Sequence, residues 1–312
     1  MPTINRQRLL TDLNKLRSFG ACGTGVVRPS LSAIDMQARH WLAQRMTEAG
    51  LDAEIDGIGN VFGRPRHPGQ RLLVGSHSDT QPTGGWLDGA LGVIYALEAA
   101  RALAEDPSCS ALPLEIVAWV DEESTFTSCL GSRAFTGALR DGEMAAARNP
   151  DGLSLTDALQ QAGLNGQPAR PQPDQYLGYL EAHIEQGPHL ESAGKRIGIV
   201  SAIVGSRNFT VRFKGRQNHA GTTPMPLRRD AGIAMMRFGH FVDEAFKAAA
   251  GPKSVWTMGR IELSPGAASI IPGAANLHLQ FRDPDDAQLD RLQACVEQLI
   301  AEANAAGPVS VE

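Results

Sequence analysis

The sequence predicts an α/β protein in which a domain built on a mostly parallel sheet precedes a smaller βαββαβ domain. Strand-like and helix-like patterns alternate up to about residue 200, as is typical of parallel sheets covered by helices. After about residue 205 the order becomes strand, helix, two strands, helix and strand, which is the ferredoxin-like arrangement. The length of 312 residues suits two modest domains, which we place at residues 1–204 and 205–312.

The first domain begins with an amphipathic helix and then alternates helices with buried strands. Leu9, Leu10, Leu13 and Leu16 share one face of the first helix. The helices are predicted at residues 1–20, 31–50 and 88–103, and the buried strands at residues 71–77, 112–123 and 176–185. Residues 140–175 are rich in Ala, Gly, Pro and Gln, so we expect a loose connection with one short helix there.

The second domain is predicted to form a four-stranded sheet covered by two helices. Its strands are expected at residues 206–216, 254–264, 275–283 and from residue 309 onward, and its helices at residues 226–249 and 286–306. A Pro/Gly turn separates the two middle strands. An open sheet edge of this kind suits an isologous C2 dimer. A monomer with a solvated edge is the alternative.

Composition excludes several classes of partner. The 42% hydrophobic and 20% charged residues are those of an ordinary globular protein. The formal net charge is -5 and no block of like charges appears, so no nucleic-acid partner is expected. No apolar run approaches the roughly 18 residues that span a bilayer, so no membrane partner is expected either. The four cysteines are scattered without a CxxC pair, which favours reduced thiols and a cytoplasmic location.

Potential metal ligands follow three predicted strands, at the points where the strands end. The first strand delivers His77, with Asp88 at the start of the next helix; the second delivers Glu122 and Glu123, and the third delivers His183. Each alone has an ordinary structural explanation, such as a helix cap or a solvated turn. Because the carboxyl ends of parallel strands meet at one edge, the three sets together favour a metal site.

The residue types of this set point to metal-assisted hydrolysis. Mixed histidine and carboxylate ligands suit zinc, and suit manganese and cobalt less selectively. A carboxylate between two cations can bridge them, as two-metal hydrolases require. Of the adjacent Glu122 and Glu123, one can bind a metal ion while the other takes a proton from water. The pattern by itself does not decide which glutamate has which role.

Five motifs carry a resemblance to a known family. They are GSHSDTQPTGGWLDGALGV, DEESTFTSCLGSRAFTG, LEAHIEQGPHLE, QNHAGTTPMPLRRDA and SIIPGAANLHLQFRDPD. In order and spacing they resemble the hydantoinase/carbamoylase branch of the M20-type metallohydrolases, which includes N-carbamoyl-L-amino acid hydrolases, allantoate amidohydrolases and yeast-type β-ureidopropionases. The resemblance covers nearly the whole chain. It implies a zinc-hydrolase catalytic domain followed by a lid and dimerisation domain.

The resemblance implies two divalent metal ions, zinc first, with manganese or cobalt as alternatives, and it assigns their ligands. His77 and His183 would hold one ion, and Asp88 would bridge to the second. Glu123 would bind that second ion. Glu122 would be the general base that activates the attacking water.

The resemblance also implies residues that hold the substrate. Gln186 would lie near the metal ligands, and Arg282 would clamp the substrate carboxylate with its planar fork of donors. His219 would reach across a homodimer to polarise the scissile carbonyl. Without the resemblance, a turn histidine and a strand-end surface charge are the better interpretations of His219 and Arg282. Ser269 stands where the family commonly has an asparagine, so we expect a different grip on the substrate.

The leading functional hypothesis is a metal-dependent amidohydrolase that cleaves the carbamoyl C–N bond of an N-carbamoyl-L-amino acid or a related ureido acid. Allantoate amidohydrolase is the nearest alternative. Aminopeptidase or acylase activity is a third, disfavoured because the HIEQGP and NHAGTTPM motifs resemble the ureido-cleaving branch.

The end of the sequence departs from the family pattern. The family completes its second metal site with a histidine in a GHDA-like segment after the small domain, whereas no histidine follows His278 here. We therefore expect a catalytic domain that is incomplete at its C-terminal end, an incomplete second metal site and an uncovered apolar sheet edge. The corresponding alternative function is a truncated, inactive homologue that acts only as a dimerisation or binding protein.

Overall fold

The structure, a computed structural model, describes residues 2–109 and 111–312. By their internal contacts the residues divide into two compact units, one ending at Gly194 and the other formed by Lys195–Glu312. The sequence placed this boundary after residue 204. Each unit has its own hydrophobic core, and we describe the two separately.

The first unit alternates helices and strands, as the sequence predicted. Its elements are α1 (Arg6–Ser18), β1 (Ala21–Cys22), β2 (Gly25–Val26), α2 (Ala33–Glu48), β3 (Asp52–Ile55), β4 (Val61–Arg64), β5 (Arg71–His77), α3 (Ala90–Glu105), β6 (Leu114–Trp119), α4 (Leu130–Thr136), α5 (Glu143–Ala146), α6 (Leu155–Gln161), a 3₁₀ helix at Pro173–Gln175, β7 (Tyr176–Leu180) and α7 (His189–Ser192). Ser32 caps α2 by accepting a hydrogen bond from the N–H of Asp35. Residues 140–175 contain α5 and α6, where one short helix was expected.

The main sheet has the strand order β3-β4-β6-β5-β7. Strand β5 runs parallel to both β6 and β7, as predicted, whereas β3 and β4 extend the sheet with antiparallel pairings. The three parallel strands end at His77, Trp119 and Leu180. Strands β6 and β7 thus stop a few residues earlier than predicted, so the polar residues after them lie on loops beyond the sheet edge.

The middle strands of the main sheet, β5 and β6, are buried on both faces. Successive side chains of a strand point to opposite faces, and Ile116 and Val117 of β6, both fully buried, belong to different cores. Ile116 packs in a core with Leu42 of α2 and Leu97 of α3. Val117 packs with aromatic side chains that include Phe62. Burial of one such side chain contributes about 1.5–3 kcal/mol to the free energy of folding. Because these contacts hold the strands in place, they also hold the strand ends that carry the polar residues.

The second unit has the predicted βαββαβ order. Its elements are β8 (Gly205–Lys214), β9 (Asn218–His219), a 3₁₀ helix at Met225–Leu227, α8 (Ala231–Ala249), β10 (Val255–Ser264), β11 (Ile270–Ile271), β12 (Ala274–Asp283), α9 (Asp286–Ala306) and β13 (Ser310–Val311). The antiparallel sheet has the order β10-β12-β8-β13. Buried side chains of the strands and both helices, including Phe213, Phe246, Phe281 and Leu292, form its core. The short β9–β11 ladder was not predicted.

Two of the groups of exposed apolar side chains lie close to strand ends. In the first unit they lie on β7, where Leu177 is 67% exposed and Leu180 is 57% exposed. Within the described residues, β7 pairs with β5 alone. In the second unit they lie in the segment before β8, where Ile199 is 96% exposed and Ile203 is 87% exposed. Among the residues that the structure describes, no helix combines the length and the apolar character needed to cross a membrane.

Candidate metal centre

Two histidines and an aspartate meet beyond the carboxyl ends of β5 and β7. His77 is the last residue of β5, His183 follows β7, and Asp88 precedes α3. The Oδ1 atom of Asp88 lies 3.1 Å from Nε2 of His183 and 3.9 Å from Nε2 of His77. The two imidazole rings stack with their centroids 5.8 Å apart. One ligand atom from each residue lies within 4.8 Å of the other two, an arrangement that fits one divalent cation.

Main-chain carbonyl groups orient both imidazole rings. Nδ1 of His77 lies 3.1 Å from the carbonyl oxygen of Asp79, and Nδ1 of His183 lies 2.9 Å from that of Ile184. A ring that donates from Nδ1 keeps the lone pair of Nε2 for a metal ion. In this tautomer both Nε2 atoms are available to bind a metal ion, and both lie within 4 Å of Asp88.

Asp88 has the electrostatic surroundings of a metal ligand. Its Oδ1 atom is buried and accepts no hydrogen bond from the described residues when the histidines carry their protons on Nδ1. A doubly protonated His183 would instead donate to Asp88, which raises the pKa of His183 to about 9 and lowers the pKa of Asp88. A cation and this proton therefore compete for the same place. Gln186 donates from Nε2 to Oδ2 of Asp88 at 2.7 Å.

Gly89 allows the main chain to pass next to the ring of His77. Its φ angle is 61°, and a Cβ atom there would lie 2.4 Å from the imidazole. Gly89, not Asp88, occupies the N-cap position of α3. The Asp88 side chain is therefore free of the capping role that was its alternative interpretation, and it turns towards the histidines.

Two glutamates follow β6 and approach His77 from the other side. Oε2 of Glu122 lies 3.7 Å from Nε2 of His77. One ligand atom each from His77, Glu122 and Glu123 lies within 4.8 Å of the other two. Gln81 donates to Oε2 of Glu123 at 2.9 Å. Partial burial raises the pKa of Glu122 above its ordinary value, which suits a carboxylate that takes up a proton.

A buried ion pair that the sequence analysis missed supports these glutamates. Asp79 accepts hydrogen bonds from the main-chain N–H groups of Glu122 at 3.4 Å and Glu123 at 3.1 Å. Nη2 of Arg39 lies 3.9 Å from Oδ1 of Asp79, and both side chains are fully buried. The position of Asp79, two residues after His77, was an available signal. Arg39 gave none, because an arginine in an amphipathic helix is usually solvated.

Asp121 shapes the loop that bears the two glutamates. Its carboxylate accepts hydrogen bonds from three main-chain N–H groups of the following loop, those of Thr125, Phe126 and Thr127. Farther along, the N–H of Cys129 donates to the carbonyl of Glu122 at 3.3 Å. The loop therefore closes back on itself and fixes the direction in which the glutamates leave β6.

The predicted substrate residues His219, Ser269 and Arg282 lie in the second unit. The β9–β11 ladder pairs His219 with Ile270, and the N–H of Ala220 donates to the carbonyl of Ser269 at 3.0 Å. His219 and Ser269 are thus neighbours. Arg282 lies near the opposite end of β12, where its Nε donates to Gln280 at 2.9 Å. The sequence did not suggest that Ser269 and His219 adjoin.

Family models match both units of the chain. Residues 60–164, which include the strands β5 and β6, match the model of Peptidase family M28. Residues 201–308 match the model of the Peptidase dimerisation domain. The division of the chain after Gly194 falls between the two matched regions.

Named relatives resemble the chain over nearly all its length. It is 36% identical to N-carbamoyl-L-amino-acid amidohydrolase from Paenarthrobacter aurescens, over 97% of this chain and 76% of the relative. It is also 36% identical to allantoate amidohydrolase from Escherichia coli (strain K12), over 93% of this chain and 72% of the relative. The crystal structure of an amidase (hydantoinase/carbamoylase family) from Burkholderia phymatum is similar with a TM-score of 0.88 and 54% identity, over 100% of this chain and 78% of that one.

Proposed function

The chain belongs to the hydantoinase/carbamoylase branch of the M20-type metallohydrolases, and from this premise we propose that it hydrolyses the carbamoyl C–N bond of an N-carbamoyl-L-amino acid. It is a metal-dependent amidohydrolase that acts on ureido acids. The observation that carries the proposal is the convergence of His77, Asp88 and His183 on one point, with Glu122 beside it. An inactive binding protein is not favoured, because the relatives are named as amidohydrolases.

The proposed cofactors are two divalent metal ions, with zinc first and manganese or cobalt as alternatives. His77, Asp88 and His183 would hold one ion, and Glu123 would hold the second, with Asp88 as the bridge. The donor set of the first ion fits, because it combines neutral imidazole nitrogens with carboxylate oxygens. The second ion would have only the Asp88 and Glu123 carboxylates among the assigned residues, so this second site would be incomplete. When bound, such ions supply Lewis acidity, which makes water a stronger acid and polarises a carbonyl group.

The proposed mechanism assigns the proton transfers to Glu122. It takes a proton from the attacking water and returns it to the leaving nitrogen, a role that suits its raised pKa. His219, acting across a homodimer, stabilises the negative charge that develops on the carbamoyl oxygen. Arg282 binds the substrate carboxylate through paired hydrogen bonds. Hydrolysis releases carbon dioxide, ammonia and the amino acid.

Allantoate is the second candidate substrate, because the named allantoate amidohydrolase and the named carbamoyl amino acid hydrolase are equally identical to this chain. Ammonia release from a panel of N-carbamoyl-L-amino acids and from allantoate separates the two. We expect the higher kcat/KM with a carbamoyl amino acid. Turnover of allantoate alone would reverse the order.

The decisive variant for the mechanism is Glu122→Gln. Loss of general-base catalysis typically lowers kcat by about 10²–10⁴-fold, while zinc binding through His77, Asp88 and His183 persists. Hydrolysis is measured with added zinc, and the bound metal is measured separately by elemental analysis. Removal of metal with a chelator abolishes activity, and zinc restores it. Unchanged kcat in the variant would disprove the assignment.

The proposed quaternary structure is a homodimer formed through the second unit. The match of this unit to the dimerisation domain supports it, and so does the open edge of its sheet at β10. Light scattering at low protein concentration gives the mass. We expect twice the monomer mass of 33.3 kDa, and the monomer mass would contradict the proposal.

The proposed setting of the enzyme is the cytoplasm, with a small ureido acid as its partner. All four cysteines lie in the described residues as free thiols, which agrees with a reducing compartment. The partner follows from the reaction, because a carbamoyl amino acid is a small, charged and soluble molecule. Cell fractionation tests the location, and recovery with the membrane or secreted fraction would contradict it.

A further inference from the structure

A chain of hydrogen bonds crosses the three parallel strands just below the candidate metal centre. Nε1 of Trp119, at the end of β6, donates to the hydroxyl of Tyr179 on β7 at 2.9 Å. That hydroxyl donates to Oε2 of Glu181 at 2.7 Å. Ser76 of β5 donates from Oγ to Oε1 of Glu181 at 2.5 Å. The Glu181 carboxylate therefore receives two donors, one from each of the strands that lead to a histidine.

The chain of bonds depends on a glycine in the middle strand. Gly75 lies in β5 opposite Val117, and the residues two before and two after it, Leu73 and His77, pair with Tyr179 and Trp119. The Tyr179 hydroxyl lies 3.2 Å from the carbonyl oxygen of Gly75, so the aromatic side chains meet directly over this residue. A Cβ atom at Gly75 would lie 1.9 Å from the carbonyl oxygen of Val117. Gly75 therefore has no side chain at the point of β5 where Trp119 of β6 and Tyr179 of β7 are hydrogen-bonded.

The donors to Glu181 keep their protons. Burial, followed by the negative charge of Glu181, raises the pKa of the Tyr179 hydroxyl well above its ordinary value. Tyr179 is therefore a neutral donor throughout the working pH range. The Trp119 donor occupies one lone pair of the hydroxyl oxygen. The Glu181 carboxylate at 2.7 Å is a nearer acceptor than the Gly75 carbonyl at 3.2 Å and carries a charge, so the hydroxyl proton points at the carboxylate. None of these groups has a part in the proposed proton transfers.

The position of Glu181 relative to the two histidines gives the network its consequence. Ser76 immediately precedes His77, and Glu181 lies two residues before His183. Strand β7 ends at Leu180, so His183 stands on a loop with no strand pairing to hold it. The hydrogen bond between Ser76 and Glu181 is thus a direct side-chain connection between the two backbone segments that present the histidines.

We propose that Glu181 is a positioning residue for the metal centre: by fastening the end of β7 to Ser76, it holds His183 at the distance from His77 that one cation requires. The proposal rests on the proposed function, in which these two histidines share an ion. Replacing a side chain that positions a metal ligand without binding the metal ion itself typically lowers metal affinity by about 10–100-fold.

The experiment measures zinc affinity of the full chain by competition with a chromophoric chelator. Glu181→Gln keeps the shape of the side chain but replaces one acceptor oxygen by an NH₂ group, so that one of the two donors, Ser76 or Tyr179, loses its acceptor. We expect zinc to bind roughly 10-fold or more weakly, while the Tm of the metal-free protein changes little. Tyr179→Phe, which removes one donor to Glu181, is expected to weaken zinc binding in the same direction and by less.

Glu185→Gln is the matched control. Glu185 has the same charge as Glu181 and lies two residues after His183, where Glu181 lies two residues before it. Its carboxylate accepts a hydrogen bond from the N–H of Leu190 and not from a residue of β5. Its zinc affinity should equal that of the unaltered chain. Equal losses in Glu185→Gln and Glu181→Gln would overturn the proposal, because they would reflect loop charge alone.

Further outcomes separate this proposal from the proposed function. If zinc affinity stays within twofold of that of the unaltered chain in both Glu181→Gln and Tyr179→Phe, the positioning role is overturned. It is also overturned if the loss of zinc affinity comes with a large fall in the Tm of the metal-free protein, because Glu181 would then have a purely structural role. His183→Ala serves as the reference, because it removes a ligand outright. If His183→Ala also leaves zinc binding unchanged, the metal centre itself is misassigned and the proposed function fails.

Discussion

The smallest residue of the site makes one of its closest contacts. At Gly89 the main chain lies so near to His77 that the imidazole ring occupies the space that a side chain at residue 89 would need. The φ angle of Gly89 is 61°, in the left-handed region, which costs residues other than glycine about 1–2 kcal/mol. Both features require glycine at this position. The contact also fixes the orientation of the imidazole, since the ring cannot rotate into the helix start.

Gly89→Ala is therefore expected to weaken zinc binding by at least about 10-fold, an effect of the size seen when ligand orientation is disturbed. A methyl group 2.4 Å from the ring must displace the imidazole of His77 from the ligand position. Chelator competition gives the affinity. Gly85→Ala is the control, because a Cβ atom at Gly85 would meet nothing within 4 Å, and similar affinities for both variants would contradict the prediction.

The site residues differ in how far the sequence alone could identify them. His77, Asp88 and His183 follow from one rule, that polar residues after parallel strands gather at one edge, and the structure places their ligand atoms together. The same rule offered a signal for Asp79, which follows β5, but none for Arg39, which lies in α2. Their importance depends on which main-chain N–H groups and which buried charges the tertiary fold brings next to them.

An ion pair joins the helices α4 and α5, which also share an apolar core. Arg133 of α4 holds the Glu143 carboxylate of α5 with two hydrogen bonds, at 2.7 and 2.8 Å. This guanidinium, followed by the N–H of Arg140, lowers the pKa of Glu143 to about 2. Because the folded pKa lies below the ordinary 4.5, the stabilisation is complete above pH 4.5 and is lost as the pH falls towards 2.

We expect Glu143→Gln to lower the Tm at neutral pH and to have a smaller effect as the pH falls below 4.5. Thermal unfolding of both proteins between pH 3 and pH 7, followed by circular dichroism, gives the difference at each pH. Arg133→Met should remove the same pH-dependent contribution. A Tm difference that stays constant over this range would contradict the assignment of the effect to the charge of Glu143.

At the scale of elements, the long periodic segments were predictable and the short ones were not. The helix predicted at residues 286–306 coincides with α9, because three turns or more of apolar periodicity leave little ambiguity. The β3–β4 hairpin and the β9–β11 ladder were missed. They have two to four residues per strand, which is too short for the residue pattern of each strand to identify it, and their formation depends on the strands they pair with.

The two units have separate cores, and this separation predicts how the whole molecule unfolds. Phe281 is fully buried in the second unit, between the rings of Phe209 and Phe246. Phe281→Ala is expected to cost about 3–5 kcal/mol in that unit. Since all candidate metal ligands lie in the first unit, zinc affinity should not change. Calorimetry gives the stability and chelator competition the affinity.

Val117→Ala is the complementary variant, because Val117 is fully buried in the first unit. It should lower the stability of the first unit and leave the transition of the second unit in place. If both variants lower one common transition to the same extent, the two cores unfold as a single cooperative body. That result would contradict the separate behaviour expected here.

The tryptophan in the hydrogen-bonded chain below the metal centre gives the protein a built-in optical reporter. Trp119 shares its indole proton with Tyr179, so its emission should shift in wavelength when a cation tightens or loosens that contact. Trp256 is the one tryptophan between residues 195 and 312, and it packs against Phe246 in the other core. Trp41 and Trp86 of the first unit also emit, so the part of the fluorescence change that belongs to Trp119 is obtained by comparison with Trp119→Phe, and metal uptake can then be followed in real time without any attached dye.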